Sequence, residues 1–163
     1  MQHKKLEEKL AHLGQLFILE EKHMKIAIEN GKLVGCIAVL EKLQIKGLKS
    51  IHRTRLANIL IENLKRVSKE EEQLKKDHSK KDEKGEAIVI DGKYNVEDVE
   101  ALKEEMDKFL KEKVVVEGGD SPVFLKSVKQ SLEESEVEWV GKESYDYAYL
   151  YEAFENCENK GEE

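Results

Sequence analysis

The chain has few of the residues that stop, staple or decorate a fold. A single proline, Pro122, stands among its 163 residues, so helices before and after it can run long without a kink. Cysteines number two, Cys36 and Cys157. They lie far apart, and Cys36 sits in an apolar run where it reads as a small buried hydrophobe. That excludes a disulfide framework and points to a reducing compartment. No apolar stretch reaches the roughly 18 residues a membrane-crossing helix needs, and the basic start Gln2-His3-Lys4-Lys5 leads into a charged amphipathic run unlike a signal peptide.

Motifs that carry chemistry are equally scarce. His3, His12, His23, His52 and His78 are scattered without HExxH or Cys/His ligand spacing. Gly85 and Gly92 flank a short apolar segment but are not followed by the Gly-Lys-Ser/Thr of a phosphate loop, and no serine has a GxSxG setting. Glu133, Glu134, Glu136 and Asp91 could share acid–base work only if a fold gathered them. The reading is a non-enzymatic protein with no cofactor and no metal.

Charge is what the chain has in quantity. Charged residues make up 39% and apolar residues another 39%, which suits amphipathic helices with one wide solvated face. The net charge of -7 argues against a general nucleic-acid coat. It is also uneven: residues 1–86 carry 19 basic and 14 acidic groups, whereas residues 87–163 carry 9 and 21. A basic first half and an acidic second half can attract each other within one chain or between subunits.

In chain order, Leu6, Leu10, Leu13 and Phe17 recur at spacings of four, three and four, so residues 1–23 read as an amphipathic helical extension needing a groove or a sister helix. Residues 24–28 alternate as a short strand, although Met, Lys and Ala would also suit a continuous helix; in the strand reading Asn30 is placed to cap the next helix. A helical hairpin over 31–83 is the organising element. Its first arm, from Gly31 to about Leu43, is apolar nearly all round, with Gly35 suited to a close helix crossing. The bend Lys46–Ser50 has Gly47 for positive φ, Leu48 as a pin and Ser50 as N-cap. The second arm packs through Ile51, Leu56, Ile59, Leu60, Leu64 and Val67, then turns almost wholly polar to about Asp82 and is expected to extend from the body.

Beyond the hairpin, Ala87–Ile90 reads as a strand with a turn at Asp91-Gly92. Asn95 should cap a helix to Lys111, with Val99, Leu102, Met106, Phe109 and Leu110 inside. Val114–Val116 is a strand by composition, Ser121-Pro122 opens a short helix, Glu136–Val140 alternates as a strand, and Ser144–Glu155 forms a last helix. The fold class is therefore α+β, predominantly helical: a long antiparallel helical hairpin packed with a small sheet and shorter helices. Residues 24–155 form one domain, and 156–163 a flexible acidic tail.

Two surfaces are candidates for binding. The first is the basic tip, where Lys46, Lys49, Arg53 and Arg55, with Arg66 further along, could stay solvated or form salt bridges within the fold, meet an acidic protein face, or meet phosphates. No helix-turn-helix or RNA-binding aromatic motif accompanies it. The second is the aromatic end: Trp139, Tyr145, Tyr149 and Tyr151 join Tyr147 and Phe154 on a helix that cannot bury them all. Tyrosines with an apolar side and a polar tip favour interfaces. Self-association as a dimer or higher oligomer, or a protein partner, is the leading expectation, with nucleic acid second and a membrane excluded.

The segment MKIAIENGKLVGCIAVLEKLQIKGLKSIHRTRLANIL, with the later LKKDHSKKDEKGEAIVIDGKYNV, resembles small phage and prophage proteins of Gram-positive bacteria, the DUF1617-like group. The resemblance rests on Gly47, Ser50 and Arg53 at the bend, Lys81–Gly85 at the charged turn, and the helix and strand of Glu104–Glu117. It covers roughly residues 24–155. It implies a phage-encoded accessory protein in the bacterial host cytoplasm, acting in particle assembly or as an inhibitor of a host defence system. The group supplies no catalytic residues to carry over.

Overall fold

A computed structural model describes residues 2–22, 24–118 and 123–158. The elements run α1 (Gln2–Lys22), β1 (Lys25–Glu29), a 3-10 turn (Asn30–Lys32), α2 (Leu33–Lys42), α3 (Gly47–Asp77), β2 (Val89–Ile90), β3 (Lys93–Tyr94), α4 (Val99–Lys111), β4 (Lys113–Glu117), α5 (Val123–Glu133) and α6 (Lys142–Glu158). The class is α+β and predominantly helical, with α2 and α3 packed as a hairpin across the link 43–46.

The core is built where apolar periodicity is strongest. Alternation places Ile26 and Ile28 of β1, and Val114 and Val116 of β4, on one buried face. The strands pair antiparallel, Ile26 opposite Val116 and Ile28 opposite Val114. Leu33, Cys36, Ile37, Val39 and Leu40 of α2 meet Leu56, Leu60 and Val67 of α3, and α5 and α6 close the core with Leu125, Val128, Leu132, Leu150 and Phe154. Gly35 is the close crossing: a Cβ there would lie 2.5 Å from the Asp146 carboxylate of α6. Any larger residue there would have to displace the Asp146 side chain.

Several expectations change. The predicted single small sheet is two separate two-stranded ribbons, β1–β4 and β2–β3. Residues 136–140 form no strand; they link α5 to α6, and Val140 is exposed. Asn30 caps no helix; its Nδ2 donates to the Phe109 carbonyl. Asn95 likewise yields to Asp98, whose carboxylate accepts from the Ala101 N–H as the N-cap of α4. Ser50 lies inside α3, which begins at Gly47. Leu48 and Ile51 are solvent-facing at the tip, not pins of the core, and Val99 is exposed as well. The predicted Ser121-Pro122 cap lies outside the described residues, as do residues 159–163 of the tail, while 156–158 continue α6.

The distal half of α3 also behaves differently. It ends at Asp77, and residues 78–97 fold back beside it. The Asp91-Gly92 pair has positive φ at both positions, 50° and 75°, the twist a two-residue hairpin requires. Tyr94 then donates to Glu72 at 2.9 Å, and His78 sits 3.0 Å from Glu105 of α4. This half is held by polar contacts, which hydrophobic patterning cannot reveal.

Candidate functional site

At the basic tip, Lys49, Arg53 and Arg55 reach other elements, whereas Arg66 pairs within α3 and Lys46 stays exposed. Arg53 reaches back one arm of the hairpin: Nη1 donates to the Leu40 carbonyl at 3.0 Å and to that of Glu41 at 3.4 Å, and Nη2 meets Ser50 Oγ at 3.3 Å. The Leu40 carbonyl also takes the Leu43 N–H at 3.3 Å, so Arg53 adds a second, charged donor at the end of α2. Lys49 pairs with Glu134 after α5 at 2.6 Å, and that contact, followed by Gln130, holds the Glu134 carboxyl below its ordinary range. Arg55 lies over the Phe124 ring, 5.7 Å from its centroid. Arg66 pairs with Glu70 one turn on, at 2.7 Å. Lys46 is exposed at the N-cap of α3. A shallow groove of about 220 Å³ adjoins the tip, lined by Leu43, Ile45, Ser131, Glu134 and Val137.

The aromatic end is likewise divided between jobs. Tyr149 Oη accepts the Glu29 backbone N–H at 2.9 Å, and the Lys32 ammonium stands 5.5 Å from its ring centroid. Tyr147 donates to the Leu132 carbonyl at 2.8 Å and stacks on Trp139, with centroids 5.0 Å apart. Tyr151 leans on Tyr147 at 6.1 Å, and the Lys42 ammonium approaches the Trp139 ring at 5.6 Å. Burial pushes both the Tyr147 and Tyr149 phenols above their ordinary range. Tyr145 alone of the predicted aromatics is strongly exposed, at 78%. Lys42, at the end of α2, also pairs with Glu143 of α6.

Cys36 is buried, and desolvation drives its thiol up to about 12, with the nearby Asp146 charge adding to the rise. A thiol so placed is a packing group. Lys129, nearly buried on α5, lies 3.0 Å from Glu155 and 3.7 Å from Glu133. Among the described residues no three His, Cys, Asp or Glu side chains gather as a metal site. No helix among them is long and apolar enough to cross a membrane.

On α1, Leu6, Leu10 and Leu13 are 57–62% exposed. An apolar row at that spacing is legible in the sequence, but its exposure is not. Neither the curated proteins nor the solved structures contain a match to this chain. One family model does match, described as a protein of unknown function (DUF1617), and it takes in residues 24–162, from just before β1 to beyond α6. The segment that carries the hairpin, both ribbons and the aromatic helix is thus the family's own, and the chain belongs to the DUF1617 family.

Proposed function

We propose that the protein is a non-enzymatic, phage-encoded accessory protein that acts by protein–protein contact, in particle assembly or against a host defence system, and that it self-associates. The observation that carries this reading is the exposed row Leu6, Leu10 and Leu13, which lies outside the family-matched segment. Such a row has no use in water and is covered when a partner protein supplies a groove or helix. No described side chain of α1 belongs to the buried core, which leaves this row to serve contact.

Paired affinity capture from infected host cells tests this, using the full chain and a chain of residues 24–163 as baits. A protein held by the first and lost from the second, with cross-links at Lys4, Lys5 or Lys9, supports the reading. Identical capture by both baits refutes the arm's role. Nucleic-acid binding at the tip is the weaker reading, because Lys49, Arg53, Arg55 and Arg66 already contact other groups of the same chain. It requires salt-sensitive binding of short duplex or single-stranded DNA that falls when Arg53 and Arg55 are replaced.

A further inference from the structure

β4 has one edge paired and the other open. Asn30 N–H donates to the Glu112 carbonyl at 2.8 Å, next in register to Glu29 opposite Lys113. By antiparallel alternation the pairs Ile28–Val114 and Ile26–Val116 therefore bond across the ribbon. The backbone groups of Lys113, Val115 and Glu117 then point the other way, toward the open edge. The far side of β1 obeys the same rule: the Glu29 N–H points away from β4 and is taken by Tyr149. Nothing among the described residues does the same for Lys113, Val115 or Glu117.

The sequence of this edge is self-complementary. β4 reads Lys-Val-Val-Val-Glu, and β1, which fills its other side, reads Lys-Ile-Ala-Ile-Glu. In the observed ribbon Lys25 faces Glu117, with an ion pair at 3.3 Å, and Glu29 faces Lys113. The same arrangement is available to a second β4. If Val115 sits opposite its own copy, Lys113 falls opposite Glu117 at both ends, and the residues so paired are the ones whose backbone groups are open. Val115 is 55% exposed and Val114 and Val116 continue one apolar face. A two-stranded ribbon is also marginal by itself, and a third and fourth strand make it a sheet.

We propose that two copies of the chain join through β4, antiparallel about a two-fold axis at Val115, to give a four-stranded sheet ordered β1–β4–β4–β1. This deepens the self-association part of the proposed function and names its surface. The arm α1 takes no part in it.

Sedimentation velocity over a concentration series tests the pairing. The full chain should sediment at twice 18.8 kDa, and V115K, which sets two like charges face to face on an exposed position, should weaken the dimer by about tenfold or more. The exchange at the strand ends separates interface from fold. K113E sets Glu against Glu117 of the other copy and should weaken the dimer; K113E/E117K restores both pairs between copies and should recover it, although it makes both pairs with β1 repulsive. Circular dichroism on each variant checks that the fold persists. A full chain that stays at 18.8 kDa across the series overturns the proposal together with the self-association reading. A dimer untouched by V115K but abolished in residues 24–163 overturns this proposal alone, by moving the contact to α1. Failure of K113E/E117K to regain the dimer also overturns it.

Discussion

Replacing Arg53 by Ala distinguishes a clamp from a contact residue. In the structure its guanidinium bridges the two arms of the hairpin, with the Leu40 bond at 3.0 Å the one of good length. A hydrogen bond to a charged group contributes about 1.5–3 kcal/mol. The Glu41 and Ser50 contacts, at 3.4 and 3.3 Å, are long and add little. Arg53 Nε is buried with no partner, so truncation also removes an unsatisfied donor, which offsets about 1 kcal/mol of the loss. The net expectation is a destabilisation of about 1 kcal/mol, or a fall in Tm of about 2–4 °C for a chain of this size. Arg53→Lys should recover only part, because an ammonium is a single point of charge where the guanidinium spans several acceptors. Urea titration followed by circular dichroism measures the loss. A change for Arg53→Ala below about 0.5 kcal/mol, the size of an ordinary surface substitution, would refute the clamp and return Arg53 to the free contact groups.

Tyr149→Phe keeps the ring and its Lys32 neighbour but leaves the Glu29 N–H without its acceptor; a loss of about 1 kcal/mol in the same titration is expected, and an unmoved midpoint would show that water replaces the hydroxyl. The raised Tyr147 and Tyr149 phenols predict an alkaline limit. Because the folded state holds both protons more tightly than the unfolded chain, this contribution is complete below pH about 10 and fades as pH climbs through the higher folded values. Phenolate difference spectra should show these two tyrosines ionising above the ordinary phenol range, and ionisation of either within that range would contradict the burial argument.

The functional surfaces are legible in the sequence to different degrees. Arg53 and Lys49 are visible as a basic cluster, yet their partners Leu40, Glu41 and Glu134 lie 13, 12 and 85 positions away. One-dimensional charge counting shows a cation but not whether it is already occupied. The tyrosines raise the same difficulty. Tyr147 and Tyr149 differ by only two positions, but the helix turns them to different sides, one onto Leu132 and the other onto β1. The β4 edge is not visible as a surface at all. Its lysine and glutamate can be read in the sequence, but their meaning depends on which backbone groups β1 leaves free.

Local pattern alone settled the secondary structure wherever apolar periodicity was strong: the alternation of β1 and β4, the dense face of α2, the proximal half of α3 and the turn at Asp91-Gly92. Each of those rests on side chains a few residues apart, so the physics is local. Tertiary structure decided what depends on distant neighbours. It split the expected sheet into two ribbons, left residues 136–140 unpaired and folded 78–97 along a polar helix through Tyr94, Glu72, His78 and Glu105. It also determined which exposed groups have partners in the chain, because hydrogen bonds and ion pairs are satisfied in space and leave no period in the sequence.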